Sequence, residues 1–515
     1  MATIAYRVVG WHDFGMTLPT HFDQLSADEL RRLLVEKDKE LAWRQTKIDR
    51  LTHELAYYKR KQYGVKAEHL PVEQAQLFEE TVAADLAAMT QELEQLATPT
   101  QPRGRAKRKP LPPELPRTDI HHEPDSTRCT CGCQMQRMGE DVAEKLDYTP
   151  GVFTVERHIR GKWVCSQCET LVQAPVPAHV IDKGIPTTGL LAQVLIAKYL
   201  DHLPLYRQEG IFGRAGLPIP QSTLAQWVGQ MGVTLQPLVD ALKAEMLTYP
   251  VLHADETPVA MLDPGAGKTH RAYLWSYSIG AFEPIKAVVY DFAESRAGKH
   301  AQEFLGDWRG TLVCDDYAGY KALIAKGVTE AGCMAHARRK FFDLHVSNQS
   351  QIAVQALDYI QQLYRIEQAI ADLDPEPRQR LRQEQAQPIL DEFHDWLIRH
   401  RRQVPNGSST AKSIDYSLNR WAALIHYVGD GQVPIDNNWI ENRIRPIATG
   451  RKNWLFAGSL RAGKRAAAIM SLIQSAKLNG HDPFAYLKDI LSRLPTQPNS
   501  RIEELLPHRW KPGTA

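Results

Sequence analysis

The sequence predicts a multidomain α+β protein, and three observations support this prediction. Apolar residues near the N-terminus recur at alternating spacings of three and four, a pattern that is typical of a coiled coil. Five of the seven cysteines lie between Cys129 and Cys168, which indicates a metal-binding module. Beyond residue 249, short apolar segments that end in acids alternate with helical patterns. The chain has 515 residues, enough for several domains of roughly 100–200 residues each.

The composition is that of a globular protein without membrane segments. It is 43% hydrophobic and 24% charged, and no apolar run is long enough to span a bilayer. Residues 1–15 lack the basic start and apolar stretch of a secretion signal, and clustered cysteines in a reducing compartment favour metal binding over disulfides. We therefore expect an intracellular protein with no membrane partner. The net charge of +2 does not distinguish a nucleic-acid-binding protein from any other.

The N-terminal heptad pattern predicts a coiled coil over residues 26–62. Residues 26–29 match the capping box that starts many helices. The apolar positions that follow are Leu30, Leu34, Leu41, Ile48, Leu51, Leu55 and Tyr58. We expect this segment to form a homo-oligomer; a long helix that packs against its own domain is the alternative. The residues before Met16 fit no pattern. Residues 1–25 are predicted to be unstructured or to contain a mis-called start, with Met16 as a candidate for the true one.

A linker is predicted within residues 63–118. It follows an acidic helix over about residues 72–96 and is rich in proline and basic residues. Residues 103–109 carry the basic run Arg-Gly-Arg-Ala-Lys-Arg-Lys. Such a run contacts the phosphates of DNA or is simply solvated.

The cysteine cluster predicts a ribbon-like zinc-binding domain over residues 119–182. Cys165 and Cys168 form a C-x2-C pair, which is typical of half a zinc ribbon. The other half, Cys129, Cys131 and Cys133, has C-x-C and C-x3-C spacings only. Strands are expected at residues 152–155 and 162–164, between the two halves. A zinc ion bound by four cysteines would be structural; the irregular first half leaves a weakly held or absent metal as the alternative.

Residues 183–248 predict a helical DNA-binding domain that resembles a helix-turn-helix. A helix over about residues 205–214 and a turn at 215–220 precede a second helix, capped by Ser222 and covering residues 223–231. The second helix would enter a DNA groove. It carries few basic residues, so a helical hairpin with a packing role is the alternative.

Two apolar strands that end in acids predict the catalytic core, whose first part covers residues 249–345. These strands are residues 251–255 and 311–315, with further strands at 273–279 and 287–290, a helix near 298–305 and a fifth strand at 331–336. This order is that of a ribonuclease-H-like core. Asp255 and Asp315 would lie at one rim of its sheet, where paired carboxylates bind Mg²⁺.

A metal site for phosphoryl transfer generally needs a third acid, and Glu441 is the best candidate. With Asn438 as the N-cap of a helix, Glu441 would take the N3 position, which is also that of a capping-box glutamate without a catalytic role. No acid occurs between residues 442 and 481, whereas eight basic residues do: Arg443, Arg445, Arg451, Lys452, Arg461, Lys464, Arg465 and Lys477. Such a tract beside a carboxylate favours a DNA-binding role. Residues 346–430 would be a helical insertion, 431–490 the last part of the core, and 491–515 a C-terminal tail.

Several blocks of the sequence resemble the transposases of the insertion-sequence-sixty-six family, and in particular their large transposase subunit. The matching blocks lie at residues 63–70, 139–148, 253–257, 315–320, 335–342, 436–441 and 450–459. The resemblance implies a DDE transposase in which Asp255, Asp315 and Glu441 are the catalytic acids and the ligands of Mg²⁺ or Mn²⁺. It favours Asp315 over Asp316, because relatives often have glycine at the second position.

The resemblance also has implications for two groups of cysteines. Alignment on Cys131 makes Cys129, Cys131, Cys165 and Cys168 the zinc ligands and leaves Cys133 spare. Cys333 and His336 resemble a C-x2-H element of other DDE groups; they shape the catalytic site or belong to the core.

The implied function is Mg²⁺-dependent cleavage at the ends of an insertion sequence and transfer of the 3′-hydroxyl into target DNA. Arg445, Arg451 and Lys452 would bind backbone phosphates. The expected partners are double-stranded DNA, a second copy of the chain and two small accessory proteins, in the bacterial cytoplasm at the nucleoid. The alternatives are an inactive protein that binds DNA ends, a structure-selective nuclease on the same fold, and a zinc-dependent scaffold.

Overall fold

The computed structural model describes residues 26–63, 72–96, 110–149, 151–181, 184–263 and 268–512. Within them the protein is a mixed α/β multidomain chain with helices α1 to α16 and strands β1 to β9. It divides into two units, one with the residues up to Leu238 and Asp482–Ala515, the other with Val239–His481. None of the described helices combines the length and apolar character that a membrane span requires. The predictions for residues 1–25 and for the basic run 103–109 lie outside the described residues.

The first unit contains six helices and a four-stranded sheet in its described part, with α5 continuing into the second unit. In chain order these elements are α1 (Ala27–Tyr63), α2 (Val72–Leu96), β1 (Arg117–His122), β2 (Gln136–Thr149), β3 (Val152–Val164), β4 (Leu171–Gln173), α3 (Thr188–Tyr199), α4 (Leu205–Arg214), α5 (Gln221–Met246) and α16 (Pro483–Arg493). Strand β3 is central: β2 and β4 pair with it in antiparallel orientation and β1 in parallel orientation.

Helix α1 begins directly after Ser26, as the capping-box pattern predicts, and packs against α2. Two of its heptad leucines remain on the surface, with Leu34 64% and Leu41 62% exposed. The helix is therefore shown, while its pairing with a second copy stays a prediction.

Helix α2 packs against the helices that follow the sheet. The buried carboxylate of Glu80 accepts a hydrogen bond from the backbone N–H of Leu205 at 3.0 Å, at the start of α4, and forms an ion pair with Lys198. A negative charge at a helix N-terminus is favourable. Gly229 of α5 lies so close to α2 that an added Cβ atom would be 2.2 Å from the carbonyl oxygen of Ala84.

The predicted cap of α5 is wrong by a few residues. The helix begins at Gln221, so Ser222 lies in its first turn rather than before it. The reason is that the carbonyl of Pro220 already accepts hydrogen bonds from Thr223 and Leu224, at 2.9 and 3.1 Å. The predicted second helix forms only the first part of α5, most of whose side chains are buried there.

The predicted strands at residues 152–155 and 162–164 are one continuous strand, β3. It pairs with β2 in a register that runs from Gln136–Val164 to Thr149–Val152. Strand β2 contains residues 139–148, one of the sequence blocks that resemble the family. The tight connection at Gly151, whose φ is +89°, requires a residue that tolerates the left-handed region. The hairpin that separates the two cysteine groups is therefore β2–β3.

The second unit contains a five-stranded sheet with the order β7-β6-β5-β8-β9. Strand β6 is antiparallel to its two neighbours, β5 and β7, whereas β8 and β9 run parallel to β5. The elements are β5 (Val251–Asp263), β6 (Lys268–Ile279), β7 (Val288–Ala293), α6 (Lys299–Leu305), β8 (Thr311–Cys314), α7 (Lys321–Ile324), β9 (Thr329–Gly332) and α8 (Met334–Asn348). The predicted order of strands and helices is present, although the fifth strand ends at Gly332 instead of reaching His336.

Strand β5 does not end at Asp255, contrary to the prediction. It continues to Asp263 because β6 pairs with it along nearly its whole length, down to the pair Asp263–Lys268. Strand β8 pairs only with its first three residues, Val251 to His253. Asp255 therefore lies inside a long strand, just beyond the point where the parallel neighbour ends.

The helical insertion follows α8 and shares a hydrophobic core with the sheet. Its helices are α9 (Gln351–Ala369), α10 (Pro375–Leu381), α11 (Gln387–Arg401), α12 (Ser409–Asn419) and α13 (Trp421–Ile425). Apolar side chains of the insertion, such as Ile360 and Phe393, belong to the same buried cluster as Val313 of β8. Arg382 anchors the insertion: it is fully buried, pairs with Glu367 and donates to the carbonyl of Val433 at 2.8 Å.

Two further helices, α14 (Asn438–Trp454) and α15 (Leu460–Leu478), complete the second unit. Helix α15 covers the edge strand β7, where the hydroxyls of Ser471 and Ser475 accept hydrogen bonds from the backbone N–H groups of Tyr290 and Val288, at 2.8 and 3.0 Å. These bonds satisfy an edge that would otherwise be free to pair with another strand. Between the two helices, Ala457 exchanges backbone hydrogen bonds with Ala260 and Leu262 near the far end of β5, at 2.8 and 2.9 Å.

Candidate active site and zinc site

Asp255 in β5 and Asp315, which directly follows the parallel strand β8, occupy equivalent positions. The last register pair of β5 and β8 is His253–Val313, and each acid lies two residues beyond its member of this pair. Because side chains alternate along a strand, both acids continue the same side of the sheet as that pair. The structure thus brings the two predicted aspartates to one point at the end of β8.

The carboxyl of Asp255 is surrounded by other acids. Burial raises its pKa to about 8, and the nearby carboxylates of Glu256, Asp315 and Glu441 add to this increase. One of its oxygens, Oδ1, accepts a hydrogen bond from the N–H of Glu256 at 2.8 Å. Like charges that are gathered in this way favour a proton or a cation at the site.

Glu441 lies in the first turn of α14, but not at the predicted N3 position. The N-cap is Asn437 instead of Asn438, and its side chain makes no capping hydrogen bond. Glu441 is therefore one position further into the helix than a capping-box glutamate. The interpretation of Glu441 as a helix cap requires the N3 position and does not fit this geometry.

Asn437 connects the start of α14 to the strand that carries Asp255. Its buried side chain donates from Nδ2 to the carbonyl of Ala254 at 2.9 Å, and its Oδ1 lies 2.7 Å from Nδ1 of His253. Because the amide oxygen is an acceptor, His253 must carry its proton on Nδ1. Burial lowers the pKa of His253 to about 4, so the ring is neutral. This link holds the N-terminus of the Glu441 helix directly beside the residue that precedes Asp255.

Cys333 and His336 lie beside Glu441, in the order of the C-x2-H element. The Nδ1 atom of His336 is 3.8 Å from Oε1 of Glu441, and Nη2 of Arg339 is 3.8 Å from Oε2. Ligand atoms of Cys333, His336 and Glu441 all lie within 4.8 Å of one another. Asp255 and Asp315 do not belong to this group, so Glu441 faces the α8 side of the site in this structure.

The gap between His336 and Glu441 is too long for a direct hydrogen bond. Both atoms that face it are buried, and neither has a hydrogen-bond partner in the described part of the chain. A water molecule or a cation between them would satisfy both atoms.

Asp315 and Asp316 have different partners. Asp316 forms a salt bridge with Arg420, the residue between α12 and α13 of the insertion. The same guanidinium donates to Glu330 of β9 at 2.7 Å and lies 3.5 Å from the carbonyl oxygen of Asp315. Asp315 instead accepts a hydrogen bond from the N–H of Tyr317 at 3.0 Å, with 24% of its side chain exposed.

The basic tract after Glu441 is only partly free for DNA. Arg445 and Lys452 are exposed. Arg451 donates to the carbonyl of Pro258 at 2.5 Å, which ties the end of α14 to β5. Arg443 stacks on Trp439, 4.1 Å from its ring centre, and Arg465 is buried. Of the three predicted phosphate ligands, Arg451 therefore has a structural contact of its own.

Four cysteines of the first unit come together at one end of the β2–β3 hairpin. The sulfur of Cys131 lies 3.7 Å from that of Cys165 and 3.8 Å from that of Cys168, and the sulfurs of Cys129 and Cys168 are 3.1 Å apart. A tetrahedral zinc site with Zn–S bonds of about 2.3 Å places its sulfurs about 3.8 Å from one another. The fifth cysteine, Cys133, donates to Gln167 at 3.1 Å and lies outside this group.

The local backbone explains why the irregular C-x-C half can bind a metal. Gly132, with φ of +87°, turns the chain back so that its N–H reaches the carbonyl of Cys129 at 2.8 Å. Hydrogen bonds from the backbone of Cys131 and from the thiol of Cys168 lower the pKa of Cys129 to about 6, whereas the thiols of Cys129 and Cys133 raise the pKa of Cys131, so Cys129 is the first thiol of this half to ionise. A thiol that ionises readily is suited to zinc.

Comparison with protein families identifies the chain. Residues 183–465, more than half of the 515, match the model described as the transposase IS66 family. The chain belongs to the IS66 transposase family. Three further models of this family match it: the IS66 C-terminal element at residues 471–508, the zinc-finger binding domain of transposase IS66 at 126–169, and the transposase C of IS166 homeodomain at 50–120.

Relatives that resemble this IS66 transposase over most of its length occur in Sinorhizobium fredii. The uncharacterized protein y4qI is 36% identical over 484 residues, which cover 90% of each chain. The uncharacterized protein y4hP is 33% identical over 495 residues, 92% of this chain and 89% of its own. The likeness therefore extends across most of the multidomain arrangement.

The zinc-finger match of this IS66 transposase covers the four clustered cysteines. Together, the match and the cluster support a structural zinc ion. Family membership indicates DNA as the partner of the chain. The sequence alone assigns no role to Asn437, Arg420 or Arg296, because their partners lie far away in the chain.

Proposed function

We propose that this IS66 transposase cuts and joins DNA at Asp255, Asp315 and Glu441, in a core that is ribonuclease-H-like. The order of three antiparallel strands followed by two parallel ones supports that fold. The observation that carries the proposal is the shared position of the two aspartates, two residues beyond the pair His253–Val313. Asn437 then places the Glu441 helix beside the same strand.

The donor set fits divalent cations that prefer oxygen ligands. Burial and neighbouring acids raise the pKa of Asp255, and a cation would relieve this repulsion. Asp255, Asp315 and Glu441 would hold Mg²⁺ or Mn²⁺, which when bound activates the attacking oxygen and stabilises the leaving one. Glu441 would turn from His336 towards the aspartates when the site is filled.

The chemistry that we propose is a pair of in-line substitutions at phosphorus. In the first, a water oxygen attacks the phosphodiester at the element end, the bond from phosphorus to the 3′ oxygen breaks, and a 3′-hydroxyl and a 5′-phosphate result. In the second, that hydroxyl loses its proton and its oxygen attacks a target phosphodiester, the bond from the target phosphorus to its own 3′ oxygen breaks, and the released target strand ends in a 3′-hydroxyl. The protein contributes no covalent intermediate. The exposed Arg445 and Lys452 would bind flanking phosphates.

The test is an assay with purified protein, Mg²⁺ and a plasmid that carries both ends of the element. Asp255→Asn, Asp315→Asn and Glu441→Gln should each lose at least about 100-fold in cleavage rate and still bind the ends. If the wild type binds ends without cutting them, with the accessory proteins supplied, the chain is only an end-binding protein. Cutting without transfer of a labelled 3′ end into a second duplex would instead identify a nuclease.

A further inference from the structure

Arg296 follows β7 and lies between two acids of the site. Its Nε and Nη2 atoms are 2.7 and 2.5 Å from Oε1 of Glu256, and Nη2 is also 4.0 Å from Oδ2 of Asp315. The Glu256 side chain is fully buried, whereas 43% of the Arg296 side chain is exposed. One end of this ion pair is thus in the core and the other reaches solvent beside Asp315.

The position of the guanidinium is fixed by more than one contact. The other oxygen of Glu256, Oε2, accepts a hydrogen bond from the hydroxyl of Tyr320 at 2.8 Å. The guanidinium carbon of Arg296 lies 3.9 Å from the ring centre of Tyr317, whose hydroxyl donates to the carbonyl of Arg296 itself. An arginine that is held in this way loses little further entropy when it binds a ligand.

The ion pair leaves donors available. Arg296 donates its Nε hydrogen and one Nη2 hydrogen to Glu256. Among the described residues, no acceptor is found for its Nη1 hydrogens. Guanidinium groups bind phosphate oxygens with two parallel hydrogen bonds. A phosphodiester that approaches Asp315 comes within reach of the same guanidinium, because their nearest atoms are only 4.0 Å apart.

We propose that Arg296 binds a non-bridging oxygen of the phosphodiester that is cut, and that Glu256 is its positioning residue. This inference rests on the proposed function, since it names a ligand of the same site. Charge that accumulates on the phosphate during substitution would be stabilised by a donor that is already in place. The proposed contact also gives a role to Glu256, the acid that follows Asp255 in β5.

The main difficulty of a test is that Arg296→Ala leaves the buried carboxylate of Glu256 unpaired, which destabilises the fold. The double variant Arg296→Ala/Glu256→Gln removes that charge and should restore the melting temperature. If Arg296 binds the phosphate, the double variant still cleaves about 100-fold more slowly than wild type. Glu256→Gln alone, which keeps an acceptor for Arg296, should lose less. Lys299→Ala, a nearby cation with 59% exposure, serves as the control and should stay within about twofold of wild type.

A second measurement tests whether Arg296 interacts with the negative charge of the phosphate at the cleavage position. A duplex copied from one element end is made with either a normal phosphate or a neutral methylphosphonate at the cleavage position. Its affinity is measured in Ca²⁺, which occupies oxygen-ligand sites. The methylphosphonate should weaken binding by wild type about tenfold more than binding by the double variant, because coupled groups are not additive.

The two measurements distinguish failure of the inference from failure of the proposed function. A wild type that cleaves, together with a double variant that cleaves equally fast, overturns the role of Arg296 and leaves the acid site intact. If the wild type does not cleave, the binding measurement still decides: equal losses on the methylphosphonate for both proteins refute the contact.

Discussion

Arg420 forms a salt bridge with Asp316, the acid that directly follows Asp315 in the chain. Only 8% of Arg420 is exposed, so this bridge is anchored in the interior of the second unit. Arg420 contacts Asp316 closely, whereas the nearest cation of Asp315, Arg296, is 4.0 Å away, so under our proposal Asp315 is the better placed of the two to bind a metal ion. The contact thus gives a physical reason for a choice that the sequence supports only through family resemblance.

The first prediction separates these two acids. Asp315→Asn should lower Mg²⁺-dependent cleavage at least about 100-fold and leave the melting temperature nearly unchanged, because it removes a cation ligand. Asp316→Asn should slow cleavage less than about tenfold but lower the melting temperature by about 2–4 °C, because Arg420 loses a charged partner. Cleavage rates and thermal unfolding of the two variants provide the test. The assignment is reversed if Asp316→Asn is folded and inactive while Asp315→Asn is active.

The second prediction concerns pH. The pKa of Asp255 is raised to about 8, whereas an aspartate in the unfolded chain ionises near pH 4. The metal-free fold therefore loses stability as the pH rises from about 4 to about 8, and under our proposal a bound Mg²⁺ would take the place of the proton. We expect Mg²⁺ to raise the melting temperature more at about pH 8.5 than at about pH 6.

Asp255→Asn is the control for the pH experiment, because the amide cannot titrate. In this variant the effect of Mg²⁺ on the melting temperature should be small and nearly independent of pH. An equal effect of Mg²⁺ at both pH values in the wild-type protein would contradict the raised pKa of Asp255.

The third prediction concerns the zinc ligands. Wild-type protein should contain about one zinc ion per chain, measured by elemental analysis after dialysis. Cys165→Ser should lose the metal, because Cys165 is a buried member of the four-cysteine group. Cys133→Ser is the matched control. In the wild type the thiol of Cys133 donates a hydrogen bond to Gln167, so the zinc content of this variant should not change. Loss of zinc in Cys133→Ser, with retention in Cys131→Ser, would exchange the roles of these two residues.

The fourth prediction concerns self-association through α1. Leu34 and Leu41 are heptad residues that remain 64% and 62% exposed, and a charged side chain at such positions disfavours a coiled coil. The double variant Leu34→Glu/Leu41→Glu should have a lower molar mass in solution than the wild type, as measured by light scattering. Thr52→Glu, an exposed position of the same helix outside the heptad pattern, should leave the mass unchanged. Identical masses for all three proteins would indicate that α1 does not mediate assembly.

The sequence predicted the elements of the second unit well where local patterns determine them. Apolar segments ending before Asp255 and Asp315 indicated two core strands, and both strands are present. The length of β5 was not predictable from this pattern, because β6 rather than the apolar pattern of β5 determines where it ends. The predicted position of the α14 N-cap is wrong by one residue. The reason is that Asn437 is held by His253 and Ala254, which lie more than 180 positions earlier in the chain.

The partners of charged residues are the least predictable feature of the site from the sequence. Arg420 and Arg296 are ordinary cations in the sequence, and most such residues are solvated. Their roles depend on partners that are 104 and 40 positions away, and no local spacing predicts these contacts. The cysteines are different, because the cluster indicated zinc, and alignment to relatives selected the four that the structure brings together.

The helix that carries Glu441 is joined to β5 at both of its ends, through Asn437 at Ala254 and through Ala457 at Ala260. Asp255 and Glu441 thus share one rigid support, and the distance between their backbones is set by the fold. Asp315 follows a different strand, and its neighbour Asp316 is bound by the insertion. A small shift of the insertion would therefore move the backbone beside Asp315 through Arg420, while the backbone link between Asp255 and Glu441 stays as it is.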